Sequence, residues 1–450
     1  MSTSARENLL ALQNFLGLNQ ESSERILGSS ILISIEIEFQ TLTDFLKNIL
    51  ERTFEKVHTS PEVGITYSCE ILVDPANKVT RGPYIFIGQN EENALVISKI
   101  LPARKLPLDI HPFLHFLISC YASGLVFKTV VGRLPFLSQD EITIEVDKLV
   151  KIDLNTRIDI GLTHLAGAGA IGNSFLLALS TFSVTGELKV VDPDYVSDGN
   201  LNRCLFFTSQ DIDQRKADVL VAKAQHLFDS LKLTPIPQEL AKITDKSDGS
   251  WLVKLVVGVD SRRARRNLQM EIPREVFDAS TTGISEVVIH HHKRPLSGAC
   301  LGCIYVKEKQ EEAHEAHVAE VLGVTIEHVK QQFINEEAAS LIAKRYSLEK
   351  NELIGIPYDT LFKQLCGEGK LKNAEDRQVL APLAFVSALA GAYLALMLVE
   401  KHISGEAYNY WKFSPWGDIN YRLRQSIPTN SDCEFCNNPS FVKVASKLWG

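Results

Sequence analysis

The sequence predicts an α/β protein built on a doubly wound, mainly parallel sheet, and two observations carry that expectation. Apolar runs at Ile158–Ala166, Leu188–Val191 and Leu255–Val259 each end in or beside a glycine or a carboxylate. They alternate with helical stretches beginning near Asn173 and Gln214, as parallel strands joined by crossover helices do. The first run also opens directly into Gly167-Ala-Gly-Ala-Ile-Gly172. That glycine spacing, between a strand and a helix, lets backbone approach a phosphate at a helix N-terminus. A ligand is therefore expected at the carboxyl edge of the sheet.

Composition narrows the class. The chain has 450 residues, 45% hydrophobic and 23% charged, enough for two or three domains and a large core, and it excludes disordered, collagen-like and coiled-coil readings. A net charge of −8 and a pI near 5.9 oppose general binding to nucleic acid or anionic membrane. Eight cysteines are too few for a disulfide-stapled secreted domain, and two Cys-x-x-Cys pairs point to metal in a reducing compartment. The N-terminal MSTSARENLL lacks the blocks of a signal peptide, so a cytoplasmic protein is expected. Val379–Val399 is uncharged over a bilayer-spanning length. It contains Pro382, Ser387 and Tyr393 without flanking belts, and is read as a helix buried in the α/β domain.

Taken in order, residues 1–157 form an N-terminal α/β domain, with apolar runs at Ile31–Ile37 and Tyr84–Ile87 and helices over Leu42–Glu55 and Phe113–Val130. Cys69 and Cys120, among largely uncharged neighbours, are read as core residues. Residues 158–303 form the nucleotide-binding core. Residues 304–380 are a charged helical lobe (Lys307–Lys344) that leads to a cysteine-bearing loop. Residues 381–450 return to the core with the apolar helix, a strand region at Tyr408–Arg424 and the second cysteine pair. The segment Pro112–Phe127 faintly echoes Leu383–Val399, which suggests that the N-terminal domain is a worn adenylation-like copy of the core without its glycine loop; an unrelated domain that binds the carrier or the downstream enzyme is the alternative.

Asp192 follows Gly172 by about 20 residues, at the end of the next strand, where a carboxylate can hold ribose hydroxyls. Up to that point NAD and ATP fit equally. Beyond it stand Asp194, Asp198-Gly-Asn200-Leu-Asn202-Arg203, Lys216 and Asp260. Hydride transfer needs no such set. Splitting ATP between its α- and β-phosphates does need one: Arg and Lys neutralise charge on the α-phosphate and the departing pyrophosphate, and a strand-end Asp holds Mg²⁺.

With GAGAIG, DPDYVSDGNLNRC, QRKADVL and VVGVDSRRARRN in register, the chain resembles the ubiquitin-activating and ThiF/MoeB/HesA-like adenylyltransferases over roughly Ile158 to Asn438. The resemblance implies a Rossmann-like adenylation domain in which Gly167, Gly169 and Gly172 cradle the nucleotide. It further implies that Asp192 holds ribose, that Asn200, Arg203 and Lys216 contact the phosphates with Asp194 and Asn202 beside them, and that Asp260 binds Mg²⁺. Three departures stand out. Cys204 replaces the motif's glutamine, Ser261 replaces the asparagine after the strand-end Asp, and the Tyr-x-Arg-Gln helix that gives the partner subunit an arginine is not recognisable. Either a replacement arginine comes from the N-terminal region or elsewhere, or the γ-phosphate is held differently.

Cys300-Leu-Gly-Cys303 and Cys433-Glu-Phe-Cys436 supply four thiolates at knuckle spacing, enough to close a structural Zn²⁺ site with no open position for chemistry. Cys366 stands in Phe362-Lys-Gln-Leu-Cys-Gly-Glu-Gly369, shortly before Ala381-Pro382. In the resembled family a cysteine so placed forms the acyl thioester. Lys363, Lys370 and Lys372 would lower its pKa. Cys204 is a second candidate nucleophile. His290-His291-His292, if on a strand, alternate faces and cannot converge on one ion; they are read as a strand segment with solvent or carrier contacts.

The expected function is ATP-dependent adenylation of the C-terminus of a ubiquitin-like carrier protein, thioester formation on Cys366, and transfer to a separate conjugating enzyme. Adenylation for sulfur transfer is the nearest alternative, and an NAD-dependent oxidoreductase or an inactive scaffold are more distant ones. A homodimer or an internal pseudo-dimer is expected.

Overall fold

The structure, a computed structural model, describes residues 3–450 apart from 245, 247–248, 297, 307–308, 332–333, 355–357, 359–360, 363–364, 366–382, 404–407 and 420–422. It divides into two compact units, Met1–Ile304 with Ala381–Gly450, and Tyr305–Leu380.

The first unit holds two sheets. The C-terminal one comprises β8 (Ile158–Ala166), β9 (Val184–Val191), β10 (Leu231–Ile236), β11 (Lys254–Val257), β12 (Glu275–Thr282), β13 (Glu286–Lys293), β14 (Tyr410–Phe413) and β15 (Arg424–Gln425). Their spatial order is β10-β9-β8-β11-β12-β13-β14-β15. The first five strands are parallel and the last three antiparallel. This is a doubly wound sheet whose strand order reverses between β8 and β11, the place where such sheets bind ligands. Three consecutive residues of β11, Leu255, Val256 and Val257, have no exposed surface, as expected of a strand covered on both faces.

The N-terminal sheet contains β1 (Ser30–Ser34), β2 (Lys56–His58), β3 (Cys69–Leu72), β4 (Tyr84–Gln89), β5 (Leu95–Ser98), β6 (Arg104–Lys105) and β7 (Glu141–Ile144). Its order is β2-β1-β3-β4-β5-β7, with β6 on β4. Strands β2, β1, β3 and β4 are parallel, and β5 and β7 antiparallel. Position by position this repeats the order and directions of β9-β8-β11-β12-β13-β14. The helix Pro112–Val131 lies between β5 and β7 in the chain as the helix Ala384–Ile403 lies between β13 and β14. The first strand differs at its end. Where β8 opens into glycines, β1 runs through Ile35 and Glu36 into a short turn and the helix Gln40–Leu50.

The two long apolar helices pack on each other in the middle of the unit. Their buried hydroxyls, Tyr121 and Tyr393, lie 2.9 Å apart, and a Cβ on Gly124 would lie 3.0 Å from the Phe385 ring. Both are long and apolar enough to cross a membrane, yet 83% and 94% of their apolar windows are buried inside the protein. Ala384–Ile403 also crosses the helix Ala170–Leu179 so closely that a Cβ on Gly391 would sit 2.5 Å from the Phe175 amide nitrogen. One continuous core joins both sheets and these helices, and it includes Cys69 and Cys120.

The second unit is helical: Lys309–Leu322, Ile326–Lys330, Glu336–Tyr346 and Lys350–Leu353. Val318, Leu322, Val329, Ile342, Leu361 and Phe362 supply a small core of its own. Asn335 caps one helix through the Ala338 amide at 2.9 Å, an N-cap that favours starting the helix there.

His290, His291 and His292 lie on β13 and alternate faces as a strand requires. The expectation of solvent contact is corrected for two of them: His290 is 0% and His292 4% exposed. His290 Nε2 lies 2.9 Å from the Ala299 carbonyl, and His291 is bonded to Glu275 at 3.0 Å.

On β8, His164 is 1% exposed and meets Trp251 edge-on, with ring centroids 5.1 Å apart. Burial, with help from the Lys189 charge, pushes its pKa down to about 4. The folded protein therefore keeps His164 neutral while the unfolded chain protonates it below about 6.5. The stability this contributes is present above about pH 6.5 and is lost as pH falls towards 4. His164 alone should remove about 2 kcal/mol between pH 7 and pH 5. Urea midpoints across that range should fall less steeply for His164→Leu than for wild type. Equal slopes would contradict this assignment.

Candidate active site

The site forms where β8 and β11 end side by side. Gly167 adopts φ +103°, and a Cβ there would lie 2.9 Å from the Gly258 carbonyl carbon and 3.0 Å from the Val259 nitrogen. A Cβ on Gly172 would fall 2.1 Å from the Gly167 carbonyl oxygen. These two glycines let the loop, the helix and the neighbouring strand end approach one another. Gly169 is different: it precedes the helix Ala170–Leu179, and a Cβ there would meet nothing within 4 Å. That leaves room for a phosphate to approach a helix N-terminus.

At the end of β9, Asp192 is 6% exposed. Its carboxylate accepts from the Ala168 amide at 2.7 Å and the Asp194 amide at 2.8 Å, which ties the glycine loop to the neighbouring strand. Burial raises its pKa to about 6, with the Lys216 charge opposing and the Asp194 charge assisting the rise. Lys216, at the start of the helix Lys216–Ala224, donates to Asp194 at 3.0 Å. Burial pulls the Lys216 ammonium down, but the charges of Asp194 and Asp192 overcome it, and the net shift is upward. Lys216 is thus a charged, held cation at the carboxyl edge.

Residues 198–207 carry the remaining phosphate candidates without regular structure beyond one short turn, Asp198–Asn200. Asn200 accepts from the Ser197 amide at 3.0 Å. Asn202 is 3% exposed and accepts from Arg203 Nη1 at 2.7 Å. Arg203 also donates to the Gly199 carbonyl at 2.9 Å. Cys204 is 1% exposed and burial pushes its thiol up. Burial of this kind disfavours the thiolate that thioester formation on Cys204 would need.

Asp260 follows β11 and is exposed. Ser261 accepts from the Ala264 amide at 3.0 Å and caps the helix Arg262–Met270, a role serine and asparagine fill alike. The Arg265 guanidinium, 2% exposed, bonds the Val259 carbonyl and the fully buried Asp278 on β12, so a buried ion pair fixes the backbone just ahead of Asp260.

Several residues the sequence did not single out shape the site. Asn173 has no exposed surface. Its amide nitrogen donates to the Ala168 and Gly169 carbonyls at 2.8 and 2.9 Å, and its oxygen accepts from the Phe206 amide at 3.0 Å. It therefore couples the glycine loop to residues 198–207. Asn8 on the helix Thr3–Leu16 accepts from Asn202 at 3.0 Å. Burial raises the pKa of its neighbour Glu7 against the charges of Arg203 and Arg6, which places the N-terminal helix beside Arg203. For Asn173 the available signal was a polar side chain in a largely apolar helix; Asn8 lies in a helix of mixed polarity and carried none.

Cys300, Cys303, Cys433 and Cys436 converge, with all four sulfurs within 4.8 Å of one another. Four of the Sγ–Sγ separations are 3.5 to 3.8 Å. A tetrahedron with Zn–S near 2.3 Å has edges of about 3.8 Å, whereas a disulfide needs about 2.05 Å. The Asn430 amide points at Cys303 Sγ (3.3 Å) and the Cys436 amide at Cys433 Sγ (3.4 Å). Nearby, Arg294 and His292 are 7% and 4% exposed, and Arg294 Nε and Nη2 and both His292 nitrogens have no hydrogen-bond partner among the described residues. Buried donors beside a cluster that becomes dianionic on binding Zn²⁺ fit that ion. Cys366 and the lysines at 363, 370 and 372 lie outside the described residues.

The ThiF family model matches residues 161–435. The chain is 27% identical over 413 residues, 85% of its length and 77% of the relative's, to the uncharacterized protein y4jF of Sinorhizobium fredii. It is 33% identical over 130 residues to human ubiquitin-like modifier-activating enzyme 7, and 37% identical over 106 residues to the NEDD8-activating enzyme E1 catalytic subunit of Schizosaccharomyces pombe. Those stretches span 13% and 22% of the two enzymes. Among solved structures, Escherichia coli MccB with succinimide is 15% identical at a TM-score of 0.37, over 64% of this chain and 67% of that one.

The thiolate geometry gives a direct expectation. Protein purified without added chelator should carry about one zinc per chain by elemental analysis. Cys303→Ser should lose the metal and about 2 kcal/mol or more of unfolding free energy. A metal-free wild type of equal stability would contradict the site.

Proposed function

The chain belongs to the ThiF family, and we propose that it activates the C-terminus of a ubiquitin-like carrier protein with ATP and passes it on through a thioester. Adenylation of a substrate C-terminus is the activity that membership supports. The observation that carries the reading is the coupled set Asp192–Asp194–Lys216 with Arg203, held around a glycine loop at the reversal point of the sheet. A dinucleotide hydride site has no need of it.

In this reading Asp192 holds the ribose, and the glycine loop and helix Ala170–Leu179 cradle the phosphates. A carboxylate oxygen of the carrier attacks the α-phosphorus; the bond to the bridging oxygen breaks and pyrophosphate departs. Lys216 and Arg203, with Asn200, neutralise the charge that builds in that step. Asp260 would hold Mg²⁺, which supplies charge neutralisation for the leaving pyrophosphate. The thiolate of Cys366 then attacks the acyl carbon and releases AMP, leaving an acyl thioester for a conjugating enzyme. Zinc at the four cysteines would be structural, and reduced thiols suit a cytoplasmic setting.

The arginine missing from the usual place is supplied, we infer, by Arg6. It is exposed, one residue from Glu7 and two from Asn8, on a helix already beside Arg203 and Asn202. The matching strand orders support residues 1–157 as an adenylation-like domain that has lost its own glycine loop and completes the site of the second sheet. The chain is then an internal pseudo-dimer.

Wild type with Mg-ATP in extract of its source cells should give an ATP-dependent, reductant-sensitive adduct on a non-reducing gel, absent in Cys366→Ala and Asp260→Ala. Mass spectrometry of the shifted band would identify the carrier. ATP turnover with no adduct would turn the reading to sulfur transfer or free adenylate. Arg6→Ala should slow adduct formation by about 100-fold or more at an unchanged melting temperature. An unchanged rate would exclude Arg6.

A further inference from the structure

We infer that Arg52 is a positioning residue for the ATP site, through which the N-terminal 157 residues set the shape of the loop at 198–207. Arg52 follows the helix Gln40–Leu50, in a turn of the first half of the chain. Its guanidinium reaches across to backbone of the second half. Nη1 donates to the Leu201 carbonyl at 3.0 Å and the Phe207 carbonyl at 2.8 Å, and Nη2 donates to the Leu205 carbonyl at 2.8 Å. A further bond, from Nη2 to Asn48 at 3.4 Å, holds the guanidinium from behind.

The three carbonyls bracket Asn202, Arg203 and Cys204. A loop without regular structure must place its backbone acceptors somewhere, and here a planar cation with a fixed donor fork collects them. The Arg52 carbonyl, in turn, accepts from Asn8 at 2.7 Å, and Asn8 accepts from Asn202 at 3.0 Å. With Asn202 accepting from Arg203 at 2.7 Å, the connection runs from the turn at Arg52 to the candidate phosphate-binding arginine by two routes, one through backbone and one through side chains. Arg52 touches no position assigned to substrate; its effect is on where Arg203 sits.

Hydrogen–deuterium exchange on the full chain tests this without nucleotide. In Arg52→Met, which keeps length and apolar stem, amides of residues 199–207 should exchange about 10-fold faster or more, while those of β8 and β9 keep their protection. Arg52→Lys, able to reach fewer carbonyls, should fall between. Binding of Mg-ATP, read by calorimetry, should weaken about 10-fold in Arg52→Met, equivalent to about 1.4 kcal/mol. The same change in an Arg203→Ala background should cost almost nothing more, because both act through one group. Unchanged protection at 199–207 would overturn the inference. So would faster exchange throughout β8 and β9, or fully additive losses, since either marks Arg52 as a general stabiliser. The binding arm rests on the adenylation reading: a wild type that ignores Mg-ATP would sink that reading, while the exchange data would still decide the role of Arg52.

Discussion

The approach of Gly167 to Gly258 sets the distance between the two strand ends that carry the chemistry. At 2.9 Å from a would-be Cβ to the Gly258 carbonyl carbon, no side chain fits at 167, and the φ of +103° is one that L-residues rarely adopt. Because the backbones touch there, the glycine loop after β8 and Asp260 after β11 emerge together at the reversal point of the sheet. Asp192 then anchors the loop from the next strand through the Ala168 amide, and Asn173 anchors it from the helix through the Ala168 and Gly169 carbonyls. The glycine loop is therefore held from three elements.

The cations are arranged on a different principle. Lys216 is fixed by its own carboxylate partner, Asp194, on the same side of the sheet. Arg203 sits on a loop that has no ladder to join, and its order comes from elsewhere: Asn173 of the adjoining helix, and Asn8 and Arg52 of the first half of the chain. Two sheets with the same strand order and directions meet through the helices Pro112–Val131 and Ala384–Ile403. The second sheet carries the glycine loop, and the first half of the chain contributes an N-terminal helix and a buried guanidinium.

What could be read from the sequence was local. The glycine loop, the carboxylates at strand ends and the two cysteine knuckles each declare themselves within a few residues, since backbone approach, strand-end ligation and metal spacing are short-range requirements. The parallel part of the second sheet followed from the same alternation of apolar runs and helices, whereas the antiparallel β13, β14 and β15 did not. The first sheet was far less legible: β2 and β6 have three and two residues, too short for any periodicity, and only the apolar helix echo hinted at the repeat. The Arg52 contacts were invisible because they end on backbone carbonyls 149 to 155 residues away, which no side-chain pattern encodes. The two inward-facing histidines of β13 misled for a related reason: three polar residues in a row look solvent-facing until the strand is seen to be covered on one side.

On the reading proposed above, a single chain contains one complete adenylation site, finished by its own N-terminal half. The most direct test of that reading is the specific rate of ATP-dependent adduct formation with purified carrier, measured from nanomolar to micromolar enzyme alongside sedimentation analysis. The account predicts a rate per chain that does not change with enzyme concentration, and a monomer that retains full activity. A rate that collapses on dilution in step with dissociation of a dimer would contradict it, because the completing residues would then come from a second copy.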